Sequence, residues 1–269
     1  MPTVAACQIE VADLDVETNR ETITERLVGL PESVDVAVFP EYALTGFVAD
    51  ERVAAGAVAR DGPALDAIHE AAADADVAVT VGFVEAAPDE EELYNATAYL
   101  DPGGPDDRTV YRKRHLWGGE DRVLTPGSER VTVRTPVGRA GIVTCYDLNF
   151  VDESAALAEP DVAALLVGGA WPAAYTENWR LLLRARALDG VRWVVGAGRT
   201  GTKRVADADP TTYGGRSLVA RPDGGVHREL DRQPRDLVTE VDEAVLRDQR
   251  EVVGVFGDEG PTALDDATE

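Results

Sequence analysis

Three side chains in this sequence have complementary chemistry, and each stands at the end of an apolar, strand-like run. Glu41 follows VAVFP, Lys113 ends TVYRK and Cys145 follows AGIVT. A thiol becomes a nucleophile when a positive neighbour lowers its pKa and a base takes its proton. A lysine beside a carboxylate supplies both. The three residues lie 72 and 32 positions apart, so only a fold can assemble them. Taken singly, Cys145 fits a small buried hydrophobe, Lys113 a solvated charge, and Glu41 one of 50 acidic residues. Lysine choice adds weight, because Lys113 and Lys203 are the only lysines among 26 basic residues. At position 113 the chain uses a compact ammonium where it otherwise prefers a guanidinium. A Cys–His pair of Cys145 and His115 is an open alternative.

The elements that must position these residues alternate between short β-rich runs and amphipathic helices. Strands are predicted at 3–9, 34–39, 77–84, 162–167, 191–197 and 236–241, and helices at 15–29, 63–74 and 176–189. Pro63 after Gly62 suits the first turn of a helix. Hairpins are predicted at 94–113 around DPGGPDD, at 130–144 around TPVG, and at 215–230 around RPDG. No Pro/Gly/Ser linker divides the chain, so residues 1–256 read as one domain of mixed sheets covered by helices. Residues 257–269 read as an acidic, loose tail. GAGRTG at 196–201 fits a dinucleotide-loop pattern, but the following TKRVADADPTTYGG has a proline and no helical period.

Charge narrows the function classes. Against 50 Asp+Glu stand 26 Lys+Arg, a net charge of −24. Such a surface repels phosphate backbones and anionic headgroups, so nucleic-acid and membrane partners are not expected. It suits high salt, where self-repulsion is screened. Two cysteines, Cys7 and Cys145, and the dispersed His69, His115 and His227 make neither a disulfide framework nor a zinc site. The opening MPTVAACQIEVADLD lacks a basic leader pattern, and the expectation is a cytoplasmic protein. The sequon Asn95-Ala96-Thr97 carries no expectation there.

FPEYALTGF, YRKRHLW and GIVTCYDLNF resemble, in order, the three catalytic motifs of the nitrilase superfamily of carbon–nitrogen hydrolases. HLWGGEDRVLTPG, LLLRARALDGVRWVVGAGRTG and YGGRSLVARPDGG are similar to flanking family segments, and the resemblance spans about residues 2–255. It implies an α/β fold, a four-layer α-β-β-α sandwich with two mixed sheets. It implies a Glu41–Lys113–Cys145 triad, with Glu120 positioning the substrate or Lys113. It also implies an oxyanion held by Lys113 and the Tyr146 N–H, and a pocket wall at Trp171. In this picture the sulfur is ionised between ammonium and carboxylate, and alkylation is fastest near neutral pH. No cofactor or metal is required. The implied reaction is hydrolysis of a small-molecule amide or N-carbamoyl compound through a thioester, because Cys145-Tyr146-Asp147 is unlike the Cys-Trp-Glu usual in true nitrilases. Nitrile hydrolysis and a non-catalytic binding relative are the alternatives. The family pairs its sandwiches through a helical face, which implies a homodimer or larger homo-oligomer. The sequence departs from the family at Asn149, Val151 and Asp189, where Arg, Pro and Glu are usual.

Overall fold

A computed structural model describes residues 1–87, 92–103, 108–159 and 161–254. The first half of the chain runs β1 (Thr3–Gln8), α1 (Val16–Gly29), β2 (Val36–Val38), α2 (Val53–Gly56), α3 (Pro63–Ala75), β3 (Ala78–Ala86), β4 (Leu93–Leu100) and β5 (Arg108–Arg112). Next come β6 (Val131–Thr135), β7 (Gly138–Thr144), α4 (Val151–Ala156), β8 (Val162–Gly169), α5 (Thr176–Asp189) and β9 (Trp193–Gly198). The last elements are β10 (Thr202–Lys203), β11 (Thr211–Thr212), β12 (Leu218–Ala220), β13 (Val226–Glu229), β14 (Arg235–Glu240) and α6 (Glu243–Val253).

Among the described residues these strands form two six-stranded sheets, ordered β14-β1-β2-β3-β4-β5 and β13-β12-β9-β8-β7-β6, plus a β10-β11 ribbon. Each large sheet has parallel strands at its centre (β1-β2-β3 and β7-β8-β9) and antiparallel pairs outside them. Side-chain alternation explains why the central strands read as continuous apolar runs. In β1, Val4 and Ala6 face the second sheet, while Ala5 and Cys7 face the layer of α1 and α3. In β8, Ala164 and Leu166 face the first sheet, while Leu165 and Val167 pack with Trp179 and Leu183 of α5. The result is the expected four-layer α-β-β-α sandwich.

Most predicted elements are present at nearly the predicted bounds. Helix α6 was not predicted, although Asp242 caps its first turn through Ala244 N–H and Gly254 ends it at φ +67°. Of its apolar residues Ala244, Val245, Leu246, Val252 and Val253, only Leu246 is buried. The GAGRTG segment is no dinucleotide loop. Residues 196–198 belong to β9, and a Cβ on Gly198 would lie 2.3 Å from the Gly215 carbonyl oxygen. The acidic tail and part of the DPGGPDD turn lie outside the described residues.

Two glycines let the sheets close around the segment after β2. A Cβ on Gly82 of β3 would lie 2.6 Å from both Pro40 O and Tyr42 N, and one on Gly168 of β8 would lie 2.9 Å from Glu41 N. Neither neighbour is a flexible side-chain tip, so relief requires moving the backbone that carries Glu41. Gly82→Ala is expected to destabilise the protein by about 1–3 kcal/mol, the scale of overpacking, and to lower activity. Gly29→Ala, with open space around the added methyl, should do neither. Denaturant unfolding and initial rates check both variants.

Candidate active site

The site is built at the carboxyl ends of β2, β7 and β8, where an open parallel arrangement leaves room for a ligand. Glu41 follows β2, Cys145 follows β7 and Ala170 follows β8. Lys113 follows β5, and Asn95 sits near the start of β4. Glu41, Asn95, Lys113, Glu120 and Cys145 are all buried.

The Lys113 ammonium lies between two carboxylates. Its Nζ donates to Glu41 Oε1 at 2.8 Å and to Glu120 Oε1 and Oε2 at 3.0 and 2.9 Å. Burial works against this charge, but Glu120 and Glu41 outweigh it and hold the lysine well above its ordinary pKa. Asn95 Nδ2 bridges the same two acids, at 2.9 Å to Glu41 and 3.0 Å to Glu120. Glu120 also accepts from the Tyr42 hydroxyl and, at 2.7 Å, from the Trp117 N–H. Burial together with the nearby acids keeps the Tyr42 phenol protonated. The second Glu41 oxygen accepts from the Ala170 N–H at 3.0 Å. The charged groups of the network are each paired, as they must be when water is excluded, while Asn95 Oδ1 is buried without a partner.

Glu41, Lys113 and the Ala170 N–H are the groups that bear on the Cys145 thiol. Burial pushes the thiol up, the Glu41 charge pushes it further, and Lys113 only partly opposes them. These influences run against an ionised sulfur in the substrate-free protein, and Lys113 is shared by two acids rather than free to stabilise a thiolate. The backbone at Cys145 is left-handed, φ +50°, a conformation costing a non-glycine residue about 1–3 kcal/mol. Reciprocal bonds between Thr144 and Asp147 close the tight turn at Cys145–Asn149 and retain that geometry.

Asp147 also ties this turn to the lysine segment. Its carboxylate accepts from the Tyr111 hydroxyl at 2.7 Å, the His115 N–H at 2.9 Å and His115 Nδ1 at 2.9 Å. The His115 ring also stacks on Phe150 with 3.5 Å between centroids. With Nδ1 on Asp147 and Nε2 facing Glu153 at 3.8 Å, both ring nitrogens of His115 are directed to carboxylates rather than to Cys145. On the far side, the Arg186 guanidinium of α5 grips the Leu148 carbonyl at 2.8 and 3.0 Å and pairs with Asp189. Asp189 also accepts from Ser154 Oγ at 2.7 Å, so the shorter acid keeps these contacts.

A cavity of about 210 Å³ opens at Cys145, with Tyr146, Asn149 and Trp171 among the residues of its wall. The structure thus brings together Glu41, Lys113, Glu120 and Cys145, and sets Tyr146 and Trp171 on the adjoining wall. Val151 is 66% exposed on α4 and does not line the cavity. Sequence reasoning missed Asn95, Tyr42 and Asp147. Asn95 was visible only as part of a sequon, which its burial makes unusable for glycosylation. Asp147 had the one detectable signal, three residues after a potential capping threonine.

The carbon–nitrogen hydrolase family profile matches residues 3–251. An (R)-stereoselective amidase of Pseudomonas sp is 30% identical over 235 residues, covering 87% of this chain and 83% of the amidase. The omega-amidase YafV of Escherichia coli K12 is 33% identical over 224 residues, 81% of each chain. The crystal structure of a CN-hydrolase superfamily protein from Xanthomonas campestris, with an arsenic adduct in its active site, superposes with a TM-score of 0.85. It is 26% identical and covers 94% of this chain and 95% of its own. The chain belongs to the carbon–nitrogen hydrolase family, within the nitrilase superfamily. It is an enzyme that hydrolyses a carbon–nitrogen bond.

The upward push on the thiol has a measurable consequence. Alkylation of Cys145 by iodoacetamide in the substrate-free protein should keep accelerating as pH rises beyond the ordinary thiol value, because the folded-state pKa is raised. Cys7, fully buried and also raised, should stay unmodified in the native protein. Mass-spectrometric labelling rates across pH check both; a plateau near neutrality would contradict the assignment.

Proposed function

We propose that this protein is a thiol amidase, hydrolysing the amide or N-carbamoyl group of a small molecule. The observation that carries the reading is the cavity lined by Cys145 and Ala170, where the Ala170 N–H bonds Glu41, the carboxylate that also holds a buried ammonium. Glu41 takes the thiol proton as Cys145 sulfur attacks the carbonyl carbon. The Lys113 ammonium and the Tyr146 N–H stabilise the oxyanion that forms. Protonated Glu41 then gives its proton to the leaving nitrogen, the carbon–nitrogen bond breaks, and a thioester remains. Water loses a proton to Glu41, adds to the thioester carbonyl and expels the sulfur, which recovers that proton. Glu120 acts as a positioning residue through both of its contacts to Lys113. The similarity to amidases and the Cys-Tyr-Asp turn support amide over nitrile.

Exposed Leu181 and Leu188 on α5, 63% and 54% accessible, and the family habit of helical pairing support a homo-oligomer. Among the described residues no helix is long and apolar enough to cross a membrane. A cytoplasmic location follows the sequence reading. The acidic surface supports a salt requirement, so the melting temperature should rise from dilute buffer to molar KCl as like-charge repulsion is screened. Calorimetry at the two salt levels checks this, and full stability in dilute buffer would refute it.

The catalytic assignment is tested by ammonia release from simple amides. Cys145→Ala should lose on the order of a millionfold in kcat, the scale of deleting a hydrolase nucleophile. Glu120→Gln should lower kcat far more than it raises KM, because it loosens Lys113 rather than substrate. Undiminished turnover in Cys145→Ala would refute the mechanism.

A further inference from the structure

Beside Cys145 the cavity is faced by the rings of Trp117, Tyr146, Trp171 and Tyr175 and by the amides of Asn149 and Asn178. No Lys, Arg or His lines it. The residues outside the described set, 88–91, 104–107, 160 and 255–269, contain no Lys, Arg or His either. The basic groups that adjoin the charged cluster and the nucleophile turn are already engaged. Lys113 is held by Glu41 and Glu120, Arg114 by Glu153, His115 by Asp147, and Arg186 by Asp189 and the Leu148 carbonyl. The fixed charge behind the cavity is acidic, since Glu41, Glu120 and Asp147 outnumber Lys113 there. The wall does offer neutral donors. The Trp171 indole N–H is shielded from solvent and has no protein acceptor, and Asn149 turns one amide N–H to the Tyr146 carbonyl at 3.2 Å.

Resting on the amidase reading, we infer that this cavity takes amides with an uncharged acyl part and rejects amides that carry a carboxylate. A carboxylate placed among these rings would give up hydration without meeting a cation, and the nearby acids would repel it. A neutral acyl group meets apolar ring surface with little desolvation to lose. The size suits a group as large as an aromatic ring, since a cavity of about 150 Å³ suffices for benzene. Asn149 is the wall position at which a single cation would change the selection, so it is a specificity-determining residue.

The test compares near-isosteric substrates, succinamide against succinamate, with butyramide and benzamide as simple neutral amides. Ammonia release gives kcat/KM for each in 0.1 M and 2 M KCl. Succinamide is expected to exceed succinamate by at least about 100-fold, the penalty scale for a polar group left unpaired in a pocket. The preference should survive high salt, which screens the distant surface charge more than the buried acids Glu41, Glu120 and Asp147. Asn149→Arg should narrow the succinamide-to-succinamate ratio at least about tenfold; a ratio measured on one preparation is insensitive to partial misfolding. Equal or faster hydrolysis of succinamate, or a preference that vanishes in 2 M KCl, overturns the inference and leaves the amidase reading standing. Failure of all four amides overturns the amidase reading itself.

Discussion

A lysine ammonium buried between two carboxylates is the interaction on which the rest of this molecule turns. Isolated, any one of these charges would be prohibitively costly in so dry a place. Together Lys113, Glu41 and Glu120 are tolerable only because further donors complete the set: the Asn95 amide, the Tyr42 hydroxyl and the N–H groups of Trp117 and Ala170. Those donors come from separate strands and loops of both sheets. Satisfying the cluster therefore fixes how the ends of β2, β4, β5 and β8 meet. The same contacts that make the charges bearable define the catalytic geometry.

The state of the sulfur follows from this arrangement. A lone lysine beside a thiol would favour the thiolate. Here the ammonium is shared by two acids, one of which also bears on the thiol. In the proposed mechanism the oxyanion adds negative charge next to Lys113 and meets an N–H of the nucleophile turn, so the stabilising charge stands where the reaction would develop it. The strained φ at Cys145 belongs to the same design, since the turn from β7 carries the side chain back toward Glu41 while Asp147 and Arg186 hold its two flanks.

Selection of substrate is a separate problem with separate residues. The charged cluster forms one boundary of the cavity, and the aromatic and amide side chains form the other. The departure at Asn149 leaves the catalytic contacts intact and alters only the wall. Val151 turns to solvent on α4 and touches neither function, while Asp189 preserves the Arg186 and Ser154 contacts with one methylene fewer.

Much of this was legible in the chain alone. Continuous apolar runs marked the doubly covered strands of both sheets, and the three motifs marked Glu41, Lys113 and Cys145, because strand burial and reactive side chains leave local patterns. Helix α6 escaped although Asp242 and Gly254 cap it and its apolar residues share a helical period. Asn95, Tyr42 and Asp147 escaped because an amide, a phenol or an acid has no distinctive local signature; their roles depend on which distant group they meet. The sequence by itself determined the layers, the family and the identity of the reactive groups. Only the tertiary structure decided the sharing of Lys113 between two acids and the residues that wall the cavity, since both depend on distances and burial among residues up to 129 positions apart.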